Sequence, residues 1–160
     1  KLRDILLNYD GVVSDRCEAF LFLADRAQHI DTIVTPAVDA GKIVLCDRHI
    51  DSTAAYQGYG RGQDIEQINK LNMIATSGRK PDLTIVFDID AETSVARVGS
   101  TKDRMESSGI EFFNRVRDGY LKIAALEPNR IKVLDATKSI DEVQQDVIEL
   151  INSKLCALKS

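Results

Sequence analysis

Three short apolar runs, each closing on an aspartate, constrain this chain more than any other feature. Residues 42–47 read KIVLCD, residues 83–88 read LTIVFD and residues 131–135 read IKVLD. Such runs lack polar alternation, as a strand does when helices cover both faces of its parallel sheet. Between them the apolar period becomes helical. Ser14 heads a helix expected over residues 14–32, with a kink at Pro36 and a stop at Gly41. Asp64 with Gln67, and Ser139 with Glu142, have capping-box spacing. Asp90 heads a short helix through Val98, and residues 110–127 a longer one that buries Phe113, Val116, Tyr120 and Ile123. A last helix presents Val143, Val147, Leu150 and Ile151 at helical spacing. Strands alternating with helices predict an α/β fold with a mainly parallel sheet. The aspartates then fall at the carboxyl ends of strands, where open α/β sheets bind ligands.

At 160 residues the chain fits one domain. Sheets usually carry about five strands, so three leave this one short. The chain opens at Lys1 with no methionine, and Leu2, Ile5, Leu6 and Leu7 have the spacing of a helix interior, so a preceding portion is expected in the natural protein. The net charge of -4 argues against a protein that wraps nucleic acid, and no apolar run approaches a membrane span. Three widely spaced cysteines suit reduced thiols in a cytoplasmic protein. Two histidines without CxxC or HExxH spacing argue against zinc.

Four segments carry side chains suited to chemistry. On a helical wheel Cys17, Phe20, Leu21, Ala24 and Ala27 form an apolar stripe expected to face the core, while Phe22 falls on the polar arc with Glu18, Arg26 and His29. Phe22 and Arg26 are four apart, so a ring and a guanidinium share one surface that suits stacking and hydrogen bonding of a nucleobase. A buried ring beside a surface ion pair fits the same pattern. Asp47, Arg48 and His49 follow the first apolar run, giving a carboxylate for a metal-bound water and an arginine for a phosphate, or else a structural ion pair. The glycine-rich stretch 51–62 brings Gly58, Gly60 and Gly62 but neither GxGxxG nor Walker A spacing, so it reads as a close-approach loop or a flexible one. Arg97, Lys102, Arg104, Arg115 and Arg117 surround residues 99–109, a basic lid for a polyphosphate or a solvated charged loop.

Taken in order, FLADRAQH from Phe22, GKIVLCDRH from Gly41, STAAYQG from Ser52, Gly60 to Gly62, PDLT from Pro81, DRME from Asp103, FNRVRDGY from Phe113 and Asp135-Ala136 resemble thymidylate kinases over nearly the whole chain. The resemblance implies a three-layer, P-loop NTPase-like α/β fold and the phosphorylation of dTMP by ATP with Mg²⁺. It also implies a cytoplasmic homodimer, formed through helices that include the one bearing Phe20 and Ala24. By the same resemblance Phe22 would stack on thymine and Arg26 would bond its O4. Thr53, supported by Gln57, would contact N3, and Tyr56 would lie against the deoxyribose and disfavour a 2′-hydroxyl. Arg48 would hold the dTMP phosphate, with Asp47 near the phosphates and Mg²⁺. Arg104 would reach the ATP phosphates from the lid, and Arg97 would flank the adenine.

The family's opening strand, Walker A loop and second strand do not occur within residues 1–160, so these residues alone are expected neither to bind ATP normally nor to transfer phosphate. Two other functions fit the sequence: a related nucleoside or nucleotide kinase, and a catalytically silent nucleotide-binding remnant.

Overall fold

The computed structural model describes residues 11–98 and 108–158. Helix α1 (Asp15–His29) begins where Ser14 Oγ accepts from the Cys17 amide at 3.3 Å. It runs without a break into a π-helical turn (Ile30–Val34) and then α2 (Thr35–Asp39), which holds Pro36. Gly41, at φ +74°, supplies the left-handed residue that ends the run.

Helix α3 (Ile50–Thr53) passes into a second π-helical stretch (Ala54–Gly60), so the glycine-rich segment is a helix and not a loop. Asp64 caps α4 (Ile65–Ala75) through the Gln67 amide at 2.9 Å. Strand β1 (Thr84–Asp88) leads through Asp90, which accepts from the Thr93 amide at 2.7 Å, into α5 (Ala91–Val98). Helix α6 (Ile110–Leu126), strand β2 (Ile131–Asp135) and helix α7 (Ile140–Leu158) complete the described chain. The Ser139–Glu142 capping box forms in both directions, at 3.3 Å and 3.0 Å.

Strands β1 and β2 pair in parallel, with Thr84 opposite Ile131 and Asp88 opposite Asp135, so two of the three aspartate-ended runs end side by side. The third expectation fails. Residues 42–47 carry no ladder, and Ile43 and Leu45 are 68% and 84% exposed. An apolar run becomes a strand only where another backbone edge meets its N–H and C=O groups, and among the described residues none does.

Helix α6 is the centre of the core. Its Phe112 and Val116 pack on Ala55, its Ala124 packs under Val86 of β1 and Ile131 of β2, and Ile123 borders both groups as well as a third made by Ala19, Ala54 and Ile68. Phe112, 2% exposed, is the deeply buried ring here; the expected Phe113 is only half-buried. Two glycines let the backbones close in. A Cβ at Gly60 would lie 2.7 Å from the Phe112 ring, and one at Gly119 2.8 Å from Tyr59. The glycines of 51–62 therefore serve helix packing at Gly60, where the sequence suggested close approach to a ligand.

One buried ion pair ties the start of α3 to the sheet. Arg130 grips Asp51 with two parallel bonds of 2.8 Å and 2.7 Å, Thr84 of β1 donates to the same carboxylate at 2.9 Å, and Glu127 accepts from Arg130 at 2.8 Å. These carboxylates hold the guanidinium pKa above its ordinary value, the Asp51 bond being the largest cause. Asp51→Ala removes the more buried of the two carboxylates and leaves Arg130 with Glu127. We expect a loss of about 1.5–3 kcal/mol, read as a lower urea midpoint at unchanged m-value.

Candidate active site

Helix α1 enters the site by its polar arc. Glu18, Ala19, Leu23 and Ile30 are buried and Phe22 and Arg26 half-buried, while Cys17, Phe20 and Ala24 of the expected core stripe are exposed. The wheel was therefore correct in period and wrong in direction. An apolar stripe normally turns inward, but here charged side chains of this helix find fixed partners beneath it, which removes the penalty of burying them.

Arg26 is the clearest case. Its Nη1 donates to Thr53 Oγ1 and, at 3.1 Å, to Asn72 Oδ1, while its Nη2 donates to the His49 carbonyl at 2.9 Å. Asn72 in turn donates to the Ile50 carbonyl at 3.1 Å. One guanidinium thus joins α1, the residue after Arg48, α3 and α4. Burial is the main cause that lowers its pKa from the ordinary arginine value. Glu18, fully buried, makes the second link: it accepts from Gln57 at 3.0 Å and from Arg61 at 3.3 Å, and Arg61 also lies 4.5 Å from the centre of the Phe112 ring.

Arg48 is held differently. Its φ of 64° is the left-handed conformation that a residue with a Cβ adopts at a cost, and its guanidinium stands 4.9 Å over the Tyr56 ring. Tyr56 meets Phe112 and Tyr120 edge-on, at 5.9 Å and 6.3 Å. Tyr120 donates to Ser52 Oγ at 2.6 Å, and burial pushes its phenol up to about 12. Phe22 and Arg26 therefore come from α1 and Thr53, Tyr56 and Gln57 from the segment Ile50–Gly60, the two bound to one another by the Arg26–Thr53 and Glu18–Gln57 bonds, and Arg48 lies in the bend just before that segment. Thr53 and Gln57 are each 2% exposed, which marks them as parts of the frame.

Asp47 is exposed beside Arg48. Among the described residues no three carboxylate, histidine or cysteine side chains cluster as a metal cage. A magnesium ion keeps several waters and needs only one or two carboxylates beside substrate phosphates, so this donor set fits it. Arg97 lies on α5. Arg104 and nearly all of the expected 99–109 lid lie outside the described residues. Two of the cations counted with that lid are structural: Arg115 donates to the Gly60 carbonyl at 3.0 Å, and Arg117 binds Asp88 at 2.6 Å and 2.9 Å, holding that carboxyl below the usual range.

Residues 1–147 match the family model of thymidylate kinases. Thymidylate kinases of Maridesulfovibrio salexigens and Nitratidesulfovibrio vulgaris are each 46% identical to the chain. The first alignment covers 92% of this chain and 72% of the relative, the second 98% and 77%. That of a Sulfurihydrogenibium species is 45% identical over 96% of this chain and 76% of the relative. The chain belongs to the thymidylate kinase family. Its fold is accordingly the α/β fold of the P-loop NTPases, and the parallel β1–β2 pair flanked by helices is part of it. The frame residues Asp51 and Arg130 were given no role from the sequence. Asp51 and Arg130 are 79 positions apart, so only the fold makes them partners.

His49 links this thymidylate kinase site to pH. Its Nδ1 is buried and has no hydrogen-bond partner among the described residues. Burial, then repulsion from Arg26, pulls the imidazole down to about 4 from 6.5. Between those values the unfolded chain binds the extra proton, so stability is complete above about pH 6.5 and falls as pH drops toward 4. We expect His49→Gln to flatten this slope, measured as urea midpoints at several pH values across that window.

Proposed function

We propose that this member of the thymidylate kinase family phosphorylates dTMP to dTDP with ATP. The supporting observation is the pairing of Arg48 and Tyr56. A strained backbone holds a phosphate-binding cation over an aromatic ring, and that ring sits on the helical segment that also carries Thr53. In this reading Phe22 stacks on thymine, and Arg26 and Thr53 present polar edges to the base. Among the described bonds Arg26 uses three of its five donors, which leaves its Nε–H and one Nη2–H for O4. Gln57 acts one step behind, fixed by Glu18. Tyr56 lies against the deoxyribose.

Phosphoryl transfer between two anions needs alignment and neutralisation more than covalent help. Arg48 binds and orients the acceptor phosphate with a planar fork of donors. Asp47 holds Mg²⁺, which when bound neutralises phosphate charge. Arg97 and Arg104 belong to the ATP side. The protein is proposed to be cytoplasmic; no helix among the described residues is long and apolar enough to cross a membrane.

Homodimerisation is supported by the exposed stripe of Cys17, Phe20 and Ala24 along α1, where Phe20 is 52% exposed. Sedimentation of the full-length protein should give twice the chain mass, and Phe20→Asp should halve it; a wild-type monomer would remove the proposal. For the reaction, ADP release by the full-length protein should require dTMP. Phe22→Ala should weaken dTMP binding by about 1–3 kcal/mol, and Arg48→Ala should reduce binding and turnover together. A protein that binds dTMP without releasing ADP would favour the nucleotide-binding remnant.

A further inference from the structure

We propose that Tyr120 is a positioning residue for the nucleotide site, its hydroxyl acting through Ser52 to fix the Tyr56 ring and so the discrimination between deoxyribose and ribose. This rests on the proposed reading of Tyr56 as the surface that meets the sugar. Ser52 and Tyr56 lie four residues apart on the helical segment that runs from Ile50 to Gly60. Tyr120, from α6, reaches both of them. Its hydroxyl donates to Ser52 Oγ at 2.6 Å and its ring meets Tyr56 at 6.3 Å, with the planes 81° apart. Phe112, eight residues earlier on α6, takes the Tyr56 ring at 5.9 Å and 69°. Two edge contacts from a single helix thus bracket Tyr56, and Arg48 covers its face.

Ring packing alone would not need a hydroxyl at position 120. Edge-to-face contacts tolerate offsets over a range of centroid distances, whereas an O–H···O bond fixes both a distance and an angle. The Tyr120–Ser52 bond therefore supplies the direction that the apolar contacts lack, setting where α6 stands against the segment bearing Thr53 and Tyr56. The phenol remains a neutral donor through the working pH range, since burial raises its pKa to about 12.

The test compares kcat/KM for dTMP with that for its 2′-hydroxy counterpart, ribothymidine 5′-monophosphate, in the full-length protein. Tyr120→Phe keeps the ring and removes the hydroxyl; Ser52→Ala removes the acceptor. Each should lower the deoxy-to-ribo preference by roughly threefold to tenfold, the scale of one hydrogen bond. The double variant should do no worse than the worse single one, because both remove the same interaction. A merely structural role would lower the melting temperature and leave the preference unchanged, which would overturn the proposal. Fully additive effects in the double variant would overturn it too. Should Tyr120→Phe fail to fold, Ser52→Ala decides by the same ratio. Absence of dTMP turnover in the parent protein would remove the reading of the site itself, and this proposal with it.

Discussion

The close packing of α6 on the helical segment from Ile50 to Gly60 is the contact on which the rest of the molecule depends. It is close because Gly60 and Gly119 offer no Cβ where Phe112 and Tyr59 press in. From that seat α6 also covers β1 and β2 through Ala124, so a single helix sets the site segment and the sheet relative to each other. Interiors are packed densely enough that a methyl group at such a crossing must move something. Every proposed site residue on the segment therefore inherits its position from a helix that carries none of the residues assigned to thymine or phosphate.

Charge is what fixes the remaining degrees of freedom. Asp51 with Arg130, Glu18 with Gln57 and Arg61, and Arg26 with Thr53 and Asn72 each place an ionised group where water is scarce. Buried ions stay only if their partners are complete, so such groups are poor sources of stability and strong sources of specificity of arrangement. In this protein they lie where the helices meet and around the proposed nucleotide site. The inward side of α1 carries Glu18 and Arg26 for that reason, and Cys17, Phe20 and Ala24 of its apolar stripe stay exposed.

Arg48 shows the same dependence on its neighbours. Its left-handed backbone costs free energy that neighbouring contacts must offset, and the Tyr56 face is the visible one. Tyr56 in turn depends on Phe112 and Tyr120. The ordering runs from helix packing, through aromatic edges, to the cation that would meet the substrate.

Much of this was legible in the chain. Caps at Ser14, Asp64, Asp90 and Ser139, the stop at Gly41, and two aspartate-ended strands are local matters of hydrogen bonding and backbone freedom, and they stand as read. The ordered motifs also carried the family. What the sequence could not state was direction and partnership. Periodicity located the two arcs of α1 but not which would turn inward, because that depends on whether Thr53, Asn72 and Gln57 arrive to meet its charges. Phe112 and Phe113 differ by one position, and only the approach of Ala55 and Arg61 decides which is buried deeply. Residues 42–47 have the composition of a strand, yet pairing is a property of two segments. Local rules act within a few residues and can be read from them; burial of charge and formation of a ladder need partners tens of residues away, so the tertiary structure alone decided them.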